Sequence, residues 1–365
     1  MKICIVGTSR CGTTLLRNLI HSHPDISVFN ETHWIPRMFE FFGTQRVNYK
    51  RLIDVAEKTT WDTGKNLIDV NSAYSHHDSN TSLRAELYRR LEVRKLLTIS
   101  EFMDELAQTT FGENIVWGDK TPDYGFYMGT IRELWPDCKF IHITRDGLDT
   151  SRSMSKHSGC KLMVSAGYDN WCSLSYDGLY EKYEMRALPL KDYTSSWHRR
   201  LKRIRNEASR IPDHQYFECS YDDLLQEPRS ILTKVMEFSN LKTDTCWLEV
   251  ALQMIRPPRQ KSYSSSALEI ALLGPENVYA IAKEAFPSRH FLTIDHEAEA
   301  ESQLLSLHKN SQCIENRIHT AISVFAFATI ISRDSLAARA ALSVAETLEE
   351  ISNPAEIEPW SQFTP

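Results

Sequence analysis

The feature that most constrains the fold lies at the start of the chain, where an apolar run leads into a turn bounded by glycines. Residues 2–6 predict a short buried strand, and residues 13–22 carry leucine and isoleucine at helical spacing. Between them lies G-T-S-R-C-G (7–12), whose G-x-x-x-x-G spacing lets backbone N–H groups surround a phosphate at a helix N-terminus. This order of strand, loop and helix predicts an α/β fold with an anion site at its first turn.

Four more strands are predicted along the chain, with helical segments between them. The strand candidates are residues 26–29, 115–118, 139–144 and 214–219. Helices are predicted at 148–156 and along an apolar stripe from Trp197 to Ile211. This alternation implies a mostly parallel β-sheet flanked by helices on both faces, and ligands in such folds bind beyond the carboxyl ends of the strands.

Two segments fall outside this alternation. Residues 41–114 predict a polar insertion with helical stretches such as Leu83–Leu97, and residues 297–352 predict a helical C-terminal extension followed by a tail at 353–365. We therefore expect one domain at 1–296, in which the insertion shapes the site for a second ligand. The C-terminal helices are the candidate contact for a homodimer.

Composition excludes several broad classes of function. The chain has 42 Lys and Arg against 48 Asp and Glu, a net charge of −6, which argues against a general nucleic-acid binder. The most apolar stretch, 318–331, is shorter than a bilayer crossing requires, and the first residues lack the features of a secretory signal, so we expect a cytoplasmic protein without a membrane span. Eight cysteines without a C-x-x-C pair predict reduced thiols and no metal site.

The loop and the start of its helix, G-T-S-R-C-G-T-T-L-L, resemble the 5′-phosphosulfate loop of the P-loop-type sulfotransferases that use 3′-phosphoadenosine 5′-phosphosulfate (PAPS). The usual pattern there is G-x-P-R-S-G-T-T, so Ser9 replaces a proline and Cys11 a serine. A nucleoside-triphosphate loop would place lysine where Thr13 stands. The resemblance implies that the cofactor is PAPS and that it is bound by Arg10, Cys11, Gly12, Thr13 and Thr14.

A second phosphate-binding pair is implied farther along the chain. Arg145 follows the strand candidate 139–144, and Ser153 comes eight residues later in the predicted helix. In the sulfotransferases that this chain resembles, an Arg and a Ser at this separation hold the 3′-phosphate of the nucleotide. His157 stands where relatives of the tyrosylprotein type often carry another Arg, which implies a contact that is either weaker or pH-dependent.

The catalytic groups are implied by two further segments. F-N-E-T-H-W-I-P-R (29–37) resembles the E-T-R-x-x-P-R stretch of tyrosylprotein-type sulfotransferases, which makes Glu31 the general base. Lys120, in W-G-D-K-T-P, matches the family's transition-state-stabilising lysine, and Arg10 assists it. Pro122 stands where the cytosolic branch of the family has a histidine base, which favours Glu31. His33 is the reserve base, because histidines titrate near neutral pH.

Matches in the last part of the domain are weaker. Tyr221 resembles a tyrosine that contacts adenine in the family, and Trp197 resembles a family tryptophan, although core packing explains it equally well. The basic, proline-containing segment 256–264 resembles a loop that closes over the nucleotide. That resemblance implies three more cofactor-binding residues, namely Arg259, Lys261 and Ser262.

The implied activity is transfer of a sulfuryl group from PAPS to a hydroxyl or amine, by in-line displacement and with release of adenosine 3′,5′-bisphosphate (PAP). We expect a small-molecule acceptor such as a natural product. The candidate walls of the acceptor site are the aromatic residues Trp61, Tyr74, His76, His77, Tyr124 and Tyr127. Two alternatives stay open: a P-loop kinase or phosphotransferase acting on a small molecule, against which the missing loop lysine counts, and a non-catalytic nucleotide-binding protein.

Overall fold

The computed structural model describes residues 1–58, 80–172 and 188–256. Its strands are β1 (Ile3–Gly7), β2 (Ile26–Asn30), β3 (Val47–Asn48), β4 (Leu96–Leu97), β5 (Val116–Lys120), β6 (Lys139–Thr144) and β7 (Tyr216–Ser220). Its helices are α1 (Thr13–His21), α2 (Ile35–Phe42), α3 (Tyr49–Lys58), α4 (Asn80–Arg94), α5 (Ile99–Phe111), α6 (Met128–Leu134), α7 (Gly147–Ser155), α8 (Ser158–Ser165), α9 (Leu190–Ala208), α10 (Tyr221–Gln226), α11 (Pro228–Phe238) and α12 (Thr245–Met254).

Five of these strands form one parallel sheet in the order β2-β5-β1-β6-β7. The predicted α/β fold with a parallel, helix-flanked sheet is confirmed. The chain builds β2 on one side of β1 and, after β5, crosses to the other side to form β6. Loops that leave the carboxyl ends of β1, β5 and β6 therefore diverge from the middle of the sheet, where α/β folds open a crevice for ligands.

The sheet is covered on both faces, which explains why all five residues of β1 are buried. Successive side chains of a strand point to opposite faces. Cys4 and Val6 accordingly belong to one apolar cluster, while Ile3 and Ile5 belong to another that includes Leu16 of α1. Two cores hold the central strand, so the turn that follows it starts from a fixed position.

The insertion is helical where the structure describes it. The helix predicted at Leu83–Leu97 is α4, Asn80–Arg94. Strand β4, which follows α4, pairs with β3 in a short antiparallel ladder. Helix α5 begins at a capping box, in which Thr98 accepts a hydrogen bond from the Glu101 N–H and the Glu101 carboxylate accepts one from the Thr98 N–H. Buried side chains of α3, α4 and α5 share the apolar cluster of Cys4 and Val6.

Contacts divide the chain into two compact units. Of the described residues, the first contains 1–58, 80–145, 156–172 and 199–256, and the second contains 146–155 and 188–198. Within the second unit, Trp197 is 1% exposed and packs directly on the Cα of Gly147, where an added Cβ would lie 2.5 Å from the indole ring. Core packing therefore accounts for Trp197.

Several expectations lie outside the described residues. These are the helical extension at 297–352, the tail at 353–365, the loop residues Arg259, Lys261 and Ser262, and the wall candidates Trp61, Tyr74, His76 and His77. The predicted domain limits also stay predictions. Among the helices that the structure describes, none is both long and apolar enough to cross a membrane.

Candidate active site

The loop after β1 leads into a helix N-terminus whose N-cap residue has no side chain. Gly12 is the N-cap of α1, with φ of 106°, and the first turn of α1 contains no acidic residue. The first N–H groups of a helix lack partners within the helix and lie at the positive end of its dipole. The start of α1 is therefore suited to bind an anion.

Tight packing fixes the shape of this loop. A Cβ on Gly7 would lie 2.5 Å from Cys11 Sγ and 2.7 Å from the carbonyl oxygen of Ile143, and a Cβ on Gly12 would lie 2.3 Å from Cδ2 of Tyr221. The Cys11 side chain is fully buried in the core, and burial raises the pKa of its thiol to about 11. The buried Cys11 side chain supports the loop, so Cys11 would contact a ligand through its backbone.

Glu31 and Lys120 meet at the ends of neighbouring strands. The Nζ of Lys120 donates to Oε1 of Glu31 and, at 3.2 Å, to Oγ1 of Thr14 in the first turn of α1. The Glu31 N–H donates to the Lys120 carbonyl at 2.6 Å, so backbone and side chains join the same two residues. Lys120 is fully buried, whereas the Glu31 side chain is 43% exposed. The arrangement places an accessible carboxylate, a buried ammonium and the loop helix side by side.

The charges around Glu31 determine its protonation state. Partial removal from water raises its pKa, but the contact with His33 and the positive charge of Lys120 lower it by more, so the pKa lies well below the usual range. His33 Nε2 lies 3.7 Å from Glu31 Oε2. Glu31 is therefore ionised at neutral pH, and its two carboxylate oxygens lie next to Lys120 and His33. The base and the reserve base implied by the sequence lie next to each other.

Arg145 lies beside the glycine loop. Its Nη1 donates to the carbonyl oxygen of Arg10 at 3.4 Å, and its guanidinium lies 4.8 Å from the centre of the Tyr221 ring. The same ring contacts Gly12. Four residues that the sequence placed in three separate motifs thus come together. Arg10 is exposed with φ of 69°, a left-handed conformation that turns the loop at this point.

Two other residues assigned to the nucleotide have different surroundings. Ser153 lies on α7, in the second unit, and its predicted pairing with Arg145 stays a prediction. The Nδ1 of His157 accepts a hydrogen bond from the Cys160 N–H at 3.3 Å and caps α8. Loss of hydration and the positive charge of Arg10 lower the His157 pKa, although Glu31 opposes them. His157 is then a neutral helix cap at pH 7.

Sequence reasoning missed part of the site and misjudged one residue. Tyr124 was expected to line the acceptor site, but it is fully buried and its hydroxyl bonds to Thr32 at 2.6 Å. Thr32 also donates to Asp119 at 2.6 Å. Asp119 comes directly before Lys120 and Thr32 directly after Glu31, and this adjacency was the available signal. Tyr127 is half-buried, and its hydroxyl contacts the Asn170 amide.

One group of potential metal ligands exists within the described residues. A nitrogen of His33, a carboxylate oxygen of Asp123 and Sγ of Cys172 lie within 4.8 Å of one another. Asp123, however, already pairs with the buried guanidinium of Arg200, and burial raises the pKa of the Cys172 thiol well above its usual value. A cation there would compete with Arg200 and would have to deprotonate Cys172. These three side chains are therefore poorly prepared as ligands.

The chain is similar to named proteins both in sequence and among solved structures. A Caenorhabditis briggsae protein provisionally named a protein-tyrosine sulfotransferase is 22% identical over 240 residues, which cover 66% of this chain and 65% of that protein. The chain thus matches less than two thirds of the length of this relative. Among solved structures, a sulfotransferase domain from the curacin biosynthetic pathway is 17% identical with a TM-score of 0.48, covering 83% of this chain and 96% of that one.

A mouse sulfotransferase complexed with PAP is 14% identical with a TM-score of 0.31, and the match covers 86% of each chain. The model of the sulfotransferase family matches residues 2–245, well over half of the 365 residues. This match spans β1, the glycine loop, Glu31, Lys120 and Arg145, which are the elements of the site described above. The chain belongs to the sulfotransferase family.

Proposed function

We propose that this protein transfers a sulfuryl group from PAPS to a hydroxyl or amine of an acceptor, with Glu31 as the general base. The observation that carries the proposal is the shared ammonium of Lys120, which contacts both Glu31 and Thr14. A proton acceptor and a cation therefore stand together next to a helix N-terminus that is suited to a phosphate. Sulfuryl transfer requires these groups and does not require a metal.

The residues present fit a nucleotide with phosphates at both ends. The start of α1, together with Arg10 and Lys120, provides donors and positive charge for the 5′ end. Arg145, whose planar guanidinium suits bidentate contact with phosphate, would hold the 3′-phosphate, with Ser153 as the predicted second donor. Tyr221 offers an aromatic face beside Gly12. The sequence adds Arg259, Lys261 and Ser262 to this set.

The chemistry that PAPS supplies when bound is an activated sulfuryl group on a phosphosulfate anhydride. Glu31 is ionised and 43% exposed, so its carboxylate can take the proton that an attacking hydroxyl must lose. Lys120 and Arg10 would supply positive charge to stabilise the negative charge that builds on the leaving oxygen. His33 Nε2 lies 3.7 Å from the second carboxylate oxygen of Glu31 and stays the reserve base.

The proposed acceptor is a small molecule, such as a natural product that the enzyme modifies. This choice comes from the sequence, in which the insertion at 41–114 has no counterpart in the resemblance to tyrosylprotein-type enzymes. The described part of the insertion packs into the core of the first unit, which fixes its position. Tyr127 remains a candidate wall residue.

The test is transfer of label from radiolabelled PAPS to a panel of phenols, aliphatic alcohols, amines and tyrosine-containing peptides. We expect PAP to be released together with a labelled small molecule, and Glu31→Gln to abolish most of this transfer. Label on the peptides alone would contradict the acceptor class. Phosphorylation of the panel from ATP and magnesium would support a kinase instead, and PAP binding without transfer to any acceptor would indicate a non-catalytic nucleotide-binding protein.

A further inference from the structure

The turn that carries Glu31 has an unusual backbone. Glu31 has φ of 52° and His33 has φ of 55°, so two residues that are not glycine lie in the left-handed region on either side of Thr32. Such residues carry strain and persist only where the surrounding structure holds them. The bond from the Glu31 N–H to the Lys120 carbonyl, at 2.6 Å, holds the start of the turn, but the ladder of β2 and β5 ends at Asn30 and Lys120. Thr32 and His33 must therefore be held by other contacts.

Thr32 provides those contacts, because its buried hydroxyl lies between two partners. Its Oγ1 donates to Oδ2 of Asp119 at 2.6 Å and lies 2.6 Å from the hydroxyl oxygen of Tyr124. A threonine hydroxyl has one hydrogen. If that hydrogen goes to the carboxylate, Tyr124 must donate its own hydrogen to Thr32. The Tyr124 oxygen in turn accepts the Ile35 N–H at 3.2 Å.

The hydrogen bonds run in one direction, from the Ile35 amide through Tyr124 and Thr32 to Asp119. Asp119 also accepts a hydrogen bond from the Thr121 hydroxyl at 2.7 Å, so two hydroxyl groups donate to its carboxylate. Thr32, Asp119 and Tyr124 are all fully buried. A buried chain in which every hydroxyl is satisfied is rigid, since breaking any bond in it leaves a polar group without a partner.

The network is anchored to the same two segments that carry the reacting groups. Phe29 pairs with Asp119 and Asn30 with Lys120 in the ladder of β2 and β5. The side-chain bond from Thr32 to Asp119 adds a further link between the two segments, just beyond the end of β2. Thr32 directly follows Glu31 and Asp119 directly precedes Lys120, so this bond limits how far Glu31 and Lys120 can move apart.

We propose that Thr32, Asp119 and Tyr124 form a positioning network that holds the Glu31 carboxylate against Lys120. None of the three touches the reacting atoms, so their effect passes through Glu31. The charged groups that face Glu31 are Lys120 from β5 and His33 from its own turn, with His157 also within electrostatic range. The catalytic meaning of the network rests on the proposed function, but the geometry it imposes on Glu31 does not.

The test compares Thr32→Val, which removes the hydroxyl at nearly constant volume, with Thr32→Ser, which keeps it. Thr110→Val is the matched control, because Thr110 is equally buried and its hydroxyl bonds only to the Leu106 carbonyl of its own helix. The titration of the Glu31 carboxyl is followed by carbon NMR on glutamate-labelled protein, with Glu31→Gln to assign the signal. The pKa is expected to stay low in Thr32→Ser and Thr110→Val and to rise toward about 4.3 in Thr32→Val.

Activity gives a second readout. With the phenol or alcohol that scores highest in the panel, Thr32→Val should lower kcat by about 10- to 100-fold while leaving the affinity for PAP unchanged, because displacing a catalytic group by about 1 Å costs rate without costing binding. Thr32→Ser should restore most of the rate. Tyr124→Phe removes one bond from the network and should give a smaller change in the same direction, so it tests the proposal even if Thr32→Val fails to fold.

The proposal is overturned if Thr32→Val and Tyr124→Phe leave the Glu31 titration unchanged and lower only the unfolding temperature, as Thr110→Val does. That result would make the network purely structural. Failure of the wild-type protein to transfer sulfuryl groups would contradict the proposed function instead. In that case the carboxyl titration still decides whether Thr32 holds Glu31.

Discussion

At the scale of single residues, Glu31 is held by the same charges that make it a weak base. Lys120 and His33 keep its pKa well below the usual range, so the carboxylate is ionised at neutral pH but has a low affinity for a proton. General bases work best with a pKa near the operating pH. We therefore expect Glu31 to contribute mainly through its position against the acceptor.

Glu31→Gln tests this role, because the amide keeps the shape of the side chain and cannot accept the proton. We expect kcat for sulfuryl transfer to fall by about 100- to 10,000-fold, the usual contribution of a general base, while PAP affinity measured by calorimetry changes little. Glu40→Gln, at an exposed position on α2, is the control and should retain full activity. Equal rates for both variants would remove Glu31 from the mechanism.

Gly12 offers a second residue-scale prediction. Gly12→Ala adds a methyl group 2.3 Å from the Tyr221 ring at a φ of 106°, so we expect displacement of Tyr221 and at least about a tenfold loss of PAP affinity, or about 1.4 kcal/mol. Gly112→Ala is the matched control, since Gly112 has φ of 108° and nothing within 4 Å of its added methyl. Both variants should lose stability from backbone strain, and only Gly12→Ala should lose nucleotide binding. Loss of binding in both would show that strain alone explains the effect.

The sequence was informative about residues whose role depends on local order and weak about those whose role depends on distant partners. Glu31, Arg10 and Arg145 lie after strands of a parallel sheet and Lys120 is the last residue of one, and such positions gather at one edge. The importance of Thr32 could not be predicted, because its hydroxyl finds Asp119 and Tyr124 only after β2 and β5 pair. Tyr124 was misjudged for the same reason, since an aromatic residue beside a site and one beneath it look alike in sequence.

At the scale of elements, the strands of the sheet could be predicted closely because buried parallel strands are continuous apolar runs. The candidates at 26–29, 139–144 and 214–219 correspond to β2, β6 and β7. The helix of the insertion was less well placed, since α4 begins three residues earlier than predicted and ends at Arg94. The ends of a polar surface helix are harder to predict from sequence, because its exposed residues give a weaker apolar periodicity.

The pairing of β6 with β7 carries a prediction about pH. Glu218 on β7 accepts hydrogen bonds from Tyr216 at 2.9 Å and Arg205 at 2.7 Å, and its carboxylate lies 3.0 Å from Nδ1 of His142 on β6. Burial raises the Glu218 pKa, but His142 and Arg205 lower it by more, so it lies well below the usual range. A carboxyl whose pKa is lowered by folding stabilises the protein above its unfolded pKa, and the stabilisation is lost as the pH falls.

Glu218→Gln should therefore lower the free energy of unfolding at pH 7, and its difference from the wild type should shrink as the pH falls below about 4.3. Urea unfolding at a series of pH values measures this. Glu249→Gln is the control, because its pair with Arg229 is more than half exposed and should contribute little at any pH. A difference between Glu218→Gln and wild type that stays constant with pH would mean that the ionised carboxylate is not the stabilising form.

At the scale of the whole molecule, the buried ion pair of Arg200 and Asp123 links α9 to the segment that follows β5. Both side chains are fully buried. Asp123→Asn leaves the guanidinium without its counter-charge, and we expect a loss of about 3–5 kcal/mol in the free energy of unfolding. Asp169→Asn, which breaks the more exposed pair with the adjacent Arg199, should cost less than about 1 kcal/mol. Similar losses in the two variants would show that burial does not set the value of the pair.

The net charge of −6 has a consequence for nucleotide binding as well. An acidic protein attracts an anionic nucleotide only where cations gather, and Arg10, Lys120 and Arg145 do so around one loop. We propose that these three cations bind a nucleotide phosphorylated at both its 5′ and 3′ ends. The phosphates can be removed one at a time in the ligand, which leaves the protein unchanged.

Calorimetric titration of the wild-type protein with PAP, adenosine 5′-monophosphate, adenosine 3′-monophosphate and ATP with magnesium measures this preference. We predict that PAP binds about 10- to 100-fold more tightly than either monophosphate, because each phosphate gains hydrogen bonds to charged groups worth about 1.5–3 kcal/mol. ATP with magnesium should bind more weakly than PAP. Equal affinity for PAP and a monophosphate, or a preference for ATP with magnesium, would show that the three cations do not bind a nucleotide phosphorylated at both ends.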